Sequence, residues 1–120
     1  MSNLTKDISK KDVIAFNQQF DKGYFENESS LDFALSYFKQ NISWTKKVAY
    51  LARAILIDHV FQEANKRTTA ALLIYYADYN NYEFEEKKLV NMIKRILMKN
   101  ITSIKRIQMM IEDGITKKDR

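Results

Sequence analysis

Cysteine and proline are absent from this 120-residue sequence, glycine occurs twice and histidine once. Without cysteine, disulfide frameworks, thiolate metal sites and thiol nucleophiles are excluded, and a reducing cytoplasm is the expected setting. Without proline and with so little glycine, the chain lacks most of the punctuation that strands and tight turns use. Its Leu, Ile, Ala, Lys and Glu content therefore predicts helices. No run of about 18 apolar residues is long enough to cross a membrane, and Met1-Ser2-Asn3-Leu4-Thr5-Lys6 carries no apolar signal region. A soluble chain with no membrane partner is expected.

What is present points to one hydrophobic core. With 46% hydrophobic residues over this length, we expect an all-α, compact single-domain bundle of about six helices spanning 1–120, its core at about 7–114 and a frayed tail at 115–120. The net charge of +5 arises from 20 basic residues interleaved with 15 acidic ones. Such mixing describes solvated helix faces, and nucleic acid is not expected as a partner.

Periodicity places the helices. Ser9 followed by Asp12 reads as an N-cap, with Val13, Phe16, Asn17 and Phe20 at helical spacing over 10–20 and Lys22-Gly23 as the stop. Ser29 or Ser30 caps a second helix through Leu31, Ala34, Leu35 and Phe38, fading near Lys39. After a connector at 40–42, Ser43 caps a third helix carrying Val48, Leu51, Ala52, Ile55 and Leu56, to end near Asp58. A fourth, apolar nearly all round through Ala70, Leu72, Ile74, Tyr75 and Ala77, belongs at the centre of the domain. Tyr79 to Tyr82 breaks the pattern before an amphipathic helix from Glu85 to Met98. Asn100 or Thr102 starts a last one that Asp113-Gly114 stops.

Between the third and fourth helices lies a stretch that packing does not explain. His59, Glu63, Asn65, Lys66 and Arg67 fall within nine residues, and a core rarely takes such groups without a purpose. A helix starting at about Asn65 turns the amides of Ala64 to Arg67 into unpaired first-turn donors, an anion site at the positive end of the helix dipole. Lys66 and Arg67 add charge for phosphate oxygens. A carboxylate at Glu63 beside phosphates suits a Mg²⁺ ligand. Histidine is the side chain whose ordinary pKa lies near neutrality, and one at position 59 suits a base for a hydroxyl nucleophile.

These residues carry a family resemblance. His59-Val60-Phe61-Gln62-Glu63-Ala64-Asn65-Lys66-Arg67 resembles the Fic-family signature His-x-Phe-x-(Asp/Glu)-(Gly/Ala)-Asn-(Gly/Lys)-Arg, and Ala64-Asn65-Lys66-Arg67-Thr68 is similar to the Doc (death-on-curing) branch. Such a match arises by chance in a chain of this length on the order of once in tens of thousands. Ile8-Ser9-Lys10-Lys11-Asp12, the Ala/Leu-rich segment before His59 and Ile101-Thr102-Ser103 also resemble that branch.

The resemblance implies a Fic fold in which His59 is the general base, Phe61 anchors the loop, Glu63 binds Mg²⁺, and Ala64, Asn65, Lys66 and Arg67 hold the phosphates of ATP. Lysine at position 66 implies the Doc reaction, transfer of the γ-phosphate to a hydroxyl of a protein target, by analogy a translation elongation factor. The AMP-transferring branch has a second arginine three residues after the first, where this chain has Ala70. AMP transfer and a catalytically silent Fic-fold binding module are the alternatives. Glu63 stands where Doc chains commonly have Asp. A substrate-aligning flap is expected around Tyr37 to Thr45, and Tyr75, Tyr76, Tyr79 and Tyr82 either stack on adenine or fill the core. No Ser or Thr is followed four residues later by Glu. The family's inhibitory segment is therefore missing, which implies a separate antitoxin chain as partner.

Overall fold

The computed structural model describes residues 8 to 119, so the expected core start at residue 7 and the last tail residue, Arg120, lie outside the described residues. Six helices run in the order α1 (Lys10–Asn17), α2 (Glu28–Ser36), α3 (Trp44–Leu56), α4 (Asn65–Tyr79), α5 (Glu86–Met98) and α6 (Ile104–Gly114). A two-stranded sheet of β1 (Tyr82–Phe84) and β2 (Ile115–Lys117) joins them. The domain is an all-α bundle, and among the described residues no helix is long and apolar enough to cross a membrane.

Side-chain caps fix most helix starts. Ser9 and Asp12 form a reciprocal capping box on α1, and the Ser43 hydroxyl accepts from the Lys46 amide at the start of α3. Two caps differ from expectation. Asn27, not Ser29 or Ser30, caps α2, because its amide group also donates to the Asp58 carbonyl and so ties the helix start to the far end of α3. Ser103, not Asn100 or Thr102, caps α6 by accepting from the Arg106 amide.

Helix α3 occupies the centre, packed against α2, α4 and α6. Its Val48, Leu51, Ile55 and Leu56 are buried, and Ala49, Ala52 and Ala54 allow close approach of its neighbours. Each large aliphatic side chain removed from water stabilises the fold by about 1.5–3 kcal/mol. Helix α4, expected at the centre, shares it with α3 only on one side. Leu72, Leu73, Tyr76 and Ala77 are buried, whereas Ile74 is 52% exposed on the opposite face.

Two boundaries, the end of α1 and the tail, are corrected by tertiary contacts. Helix α1 ends at Asn17 rather than at 20, because the Asn17 side chain turns inward to bind other segments and residues 18–20 form a turn. Helix α2 fades as expected, ending at Ser36 and tightening into one 3₁₀ turn at Tyr37–Lys39. The tail is not frayed at 115–117: Tyr82 pairs with Lys117, Glu83 with Thr116 and Phe84 with Ile115. Lys118 closes this sheet onto α4 through an ion pair with Asp78. Gly114 ends α6 beside the Phe84 ring, where a Cβ would stand in ordinary contact at 3.4 Å.

Candidate active site

The loop from Ile57 to Ala64 leaves α3 and enters α4, and its shape is set by what lies behind it. Residues 24–27 run antiparallel to it. Gln62 donates to the Tyr24 carbonyl at 3.0 Å, while Glu26 and Asn27 donate to the Val60 carbonyl at 2.8 and 3.0 Å. Val60 and Phe61 are buried, and the Phe61 ring stacks on Phe25 with centroids 5.5 Å apart. Lys10 sits over the other side of this seam, 5.5 Å from the Phe25 ring centroid. Hydrogen bonds to Asp32 and Glu28 hold the Lys10 ammonium above its ordinary pKa.

Inside the loop, Asn65 acts as a clasp. Its Oδ1 accepts from the Phe61 amide at 3.1 Å and its Nδ2 donates to the Phe61 carbonyl at 2.8 Å. The Asn65 side chain is therefore committed to shaping the loop, while its backbone amide belongs to the first turn of α4. Ala64 stands in the left-handed region at φ 64°, which turns the chain into α4. Thr68 secures that turn, donating to the Ala64 carbonyl from its hydroxyl at 2.7 Å and from its amide at 2.9 Å.

A buried residue that sequence reasoning did not single out ties the loop to α1. Asn17, fully buried, donates to the Glu63 carbonyl and the Thr68 hydroxyl, each at 3.0 Å, and accepts from the Gly23 amide at 2.9 Å. Its one visible signal was a polar side chain within the apolar stripe of α1. Gly23 itself has φ 80°, and a Cβ there would stand 2.9 Å from Gln18, which explains glycine at this bend.

On the solvent side the loop walls a cleft of about 470 Å³. His59, Glu63, Ala64, Asn65, Lys66 and Arg67 all line it, so the sequence-predicted polar residues meet in one place. His59 is exposed at φ 54°, held between Asp58 and Val60, whose carbonyls accept from Asn27 and the 26–27 amides. Glu63, Lys66 and Arg67 are exposed and form no ion pair with any described residue. The first turn of α4 receives no capping side chain, since alanine is the N-cap. Its amides and positive dipole end are left for an anion.

Distant parts of the chain complete the cleft. Leu56 comes from the end of α3, Leu97 from α5, and Phe20 and Asp21 from the turn after α1. Phe20, expected to face inward on a longer α1, is 38% exposed at the cleft instead. Among the described residues no group of three His, Cys, Asp or Glu side chains gathers as a metal cage. The carboxylates that line the cleft are Asp21 and Glu63, whose oxygens are of the donor type that Mg²⁺ takes. That ion is commonly held by one or two carboxylates, with phosphate and water oxygens filling the remaining positions.

Of the two readings of the tyrosines, the structure takes packing: none borders the cleft, and at a rise of about 1.5 Å per residue the far end of α4 lies about 20 Å from Asn65. Tyr76 is buried against Phe38, Tyr75 packs edge-on to Phe16, and Tyr82 lies beside Trp44. The segment from Tyr37 to Thr45, expected as a flap, forms the 3₁₀ turn and the start of α3 and lines no part of the cleft. The extended segment beside the motif is Tyr24–Asn27. Compared with models of known protein families, with characterised proteins and with solved structures, the chain matches none.

Proposed function

We propose that this chain is a Doc-like phosphotransferase that moves the γ-phosphate of ATP to a hydroxyl side chain of a protein target, by analogy a translation elongation factor. The observation that carries the reading is the convergence of His59, Glu63, Lys66 and Arg67 on one cleft at the uncapped start of α4. His59 accepts the proton of the target hydroxyl as its oxygen bonds to the γ-phosphorus. The bond from that phosphorus to the β-phosphate bridging oxygen breaks, and ADP leaves. Lys66, Arg67 and the first-turn amides of α4 balance the charge on the phosphate oxygens during transfer. Asp21 and Glu63 would hold Mg²⁺, which neutralises phosphate charge when bound. Phe61 and the Asn65 clasp keep the loop in shape. By analogy with Doc, we also propose a cytoplasmic setting and a separate antitoxin chain as the regulator.

The test uses ATP radiolabelled on the γ- or the α-phosphate, incubated with Mg²⁺, a lysate and either the native protein or His59→Asn. Asparagine tolerates the positive φ of this position, so stability is retained while the base is lost. Label from the γ-phosphate on a protein band, reduced about 10²–10⁴-fold in the variant, supports the proposal. Label from the α-phosphate alone overturns it in favour of AMP transfer. No transfer of either label, with nucleotide still bound, assigns the chain as a silent binding module.

A further inference from the structure

A second groove, about 480 Å³, lies at the other end of α4 from the cleft, bounded by α4, β1 and the start of α5. Its floor is apolar. Ile74 is 52% exposed there, beside Phe84 and the edge of Leu89. Its rim is acidic: Asp78, Glu83 and Glu86 stand against a single cation, Lys118, which is already paired with Asp78. Glu83 and Glu86 form no ion pair with a described residue.

This local charge opposes that of the chain, which is net +5. A groove facing only water has no need to gather carboxylates around exposed isoleucine, and apolar floors with charged rims are the form that helix-binding grooves take. The acidic rim selects the sign of the occupant and the floor selects its amphipathicity. We propose that this groove docks a basic amphipathic segment of another protein chain, its apolar side chains against Ile74 and Leu89 and its Lys or Arg residues against Glu83 and Glu86. The site is separate from the cleft, and the inference does not depend on the proposed reaction.

The probe is a synthetic amphipathic helix of leucine and lysine, with a leucine and glutamate peptide as its charge-reversed control. Binding is followed by methyl NMR of the full chain and by fluorescence anisotropy. The expected result is binding of the Leu/Lys peptide with shifts centred on the Ile74 and Leu89 methyls, and no binding of the control. Ile74→Glu and Glu83→Lys, both on exposed positions, should each weaken the dissociation constant by about tenfold, equal to about 1.4 kcal/mol, with unchanged thermal melting. Equal binding of the two peptides, shifts spread over other surfaces, or indifference to both substitutions would overturn the proposal. A concentration-dependent dimer in sedimentation that Ile74→Glu dissociates would overturn it too, assigning the groove to a second copy of the chain.

Discussion

Replacing Asn17 tests whether the candidate site is held from behind. The side chain is fully buried and makes three hydrogen bonds, two donated to Glu63 and Thr68 and one accepted from Gly23. Asn17→Ala removes all three. A neutral hydrogen bond contributes about 1 kcal/mol net, and a buried group left without a partner costs about 1–3 kcal/mol. The Thr68 hydroxyl keeps its bond to Ala64, so the backbone groups of Gly23 and Glu63 carry most of the loss. The sum is about 3 kcal/mol, a large share of the roughly 5–15 kcal/mol that stabilises an ordinary domain.

With a urea dependence of about 1.5–2 kcal/mol per M, the unfolding midpoint should fall by about 1.5–2 M. Asn17→Asp separates hydrogen bonding from packing. It keeps the acceptor for Gly23 but turns an anionic oxygen toward the Glu63 carbonyl, so its folded-state pKa should rise above the ordinary value of about 3.9. A raised folded pKa means that the variant is relatively most stable below its unfolded pKa and loses that stability as pH rises through the folded one. Urea unfolding at several pH values reads both effects. A midpoint shift for Asn17→Ala worth less than about 0.5 kcal/mol, the scale of a surface change, would refute the reasoning. An Asn17→Asp variant with no recovery at low pH would refute it as well.

Three other outcomes are expected. Ala64→Val should destabilise by at least about 1–2 kcal/mol in urea unfolding, because a β-branched residue is strained at φ 64°, and nucleotide binding measured by calorimetry should weaken with it. Thr69→Val should instead raise stability by about 1 kcal/mol in the same assay, since the Thr69 hydroxyl is buried without a hydrogen-bond partner among Val48, Leu51 and Leu72. Burial holds the phenols of Tyr50 and Tyr75 above the ordinary value of 10.0, with Tyr37 adding to the effect at Tyr50 and Asp12 and Tyr79 at Tyr75. Their contribution is therefore complete below pH 10.0 and is lost as pH rises through the folded values. Thermal melts should fall in strong alkali, less steeply in Tyr50→Phe and Tyr75→Phe.

Local pattern settled much of this protein. Helix content followed from composition. Val48, Leu51 and Ile55 marked the buried face of α3, Ser9 and Ser43 marked helix starts, and the polar group from His59 to Arg67 marked the loop that lines the cleft. These readings depend on neighbours within a few residues, where helical spacing and capping act. The strand at 115–117 has no such signal, because its partner lies about 30 residues earlier and a three-residue strand has too little alternation to read.

Only the tertiary structure brought Phe20, Asp21 and Leu97 to the cleft and decided between the two readings of the tyrosines. Only the tertiary structure, too, showed that the Asn65 side chain clasps Phe61. The physical reason is common to these cases: a side chain's role depends on which polar groups and cavities lie within hydrogen-bonding or van der Waals reach after folding. The sequence by itself determined the helices and the residues of the loop, while the packing of α1, α3 and α5 around it decided which of those residues face solvent and which hold the loop in place.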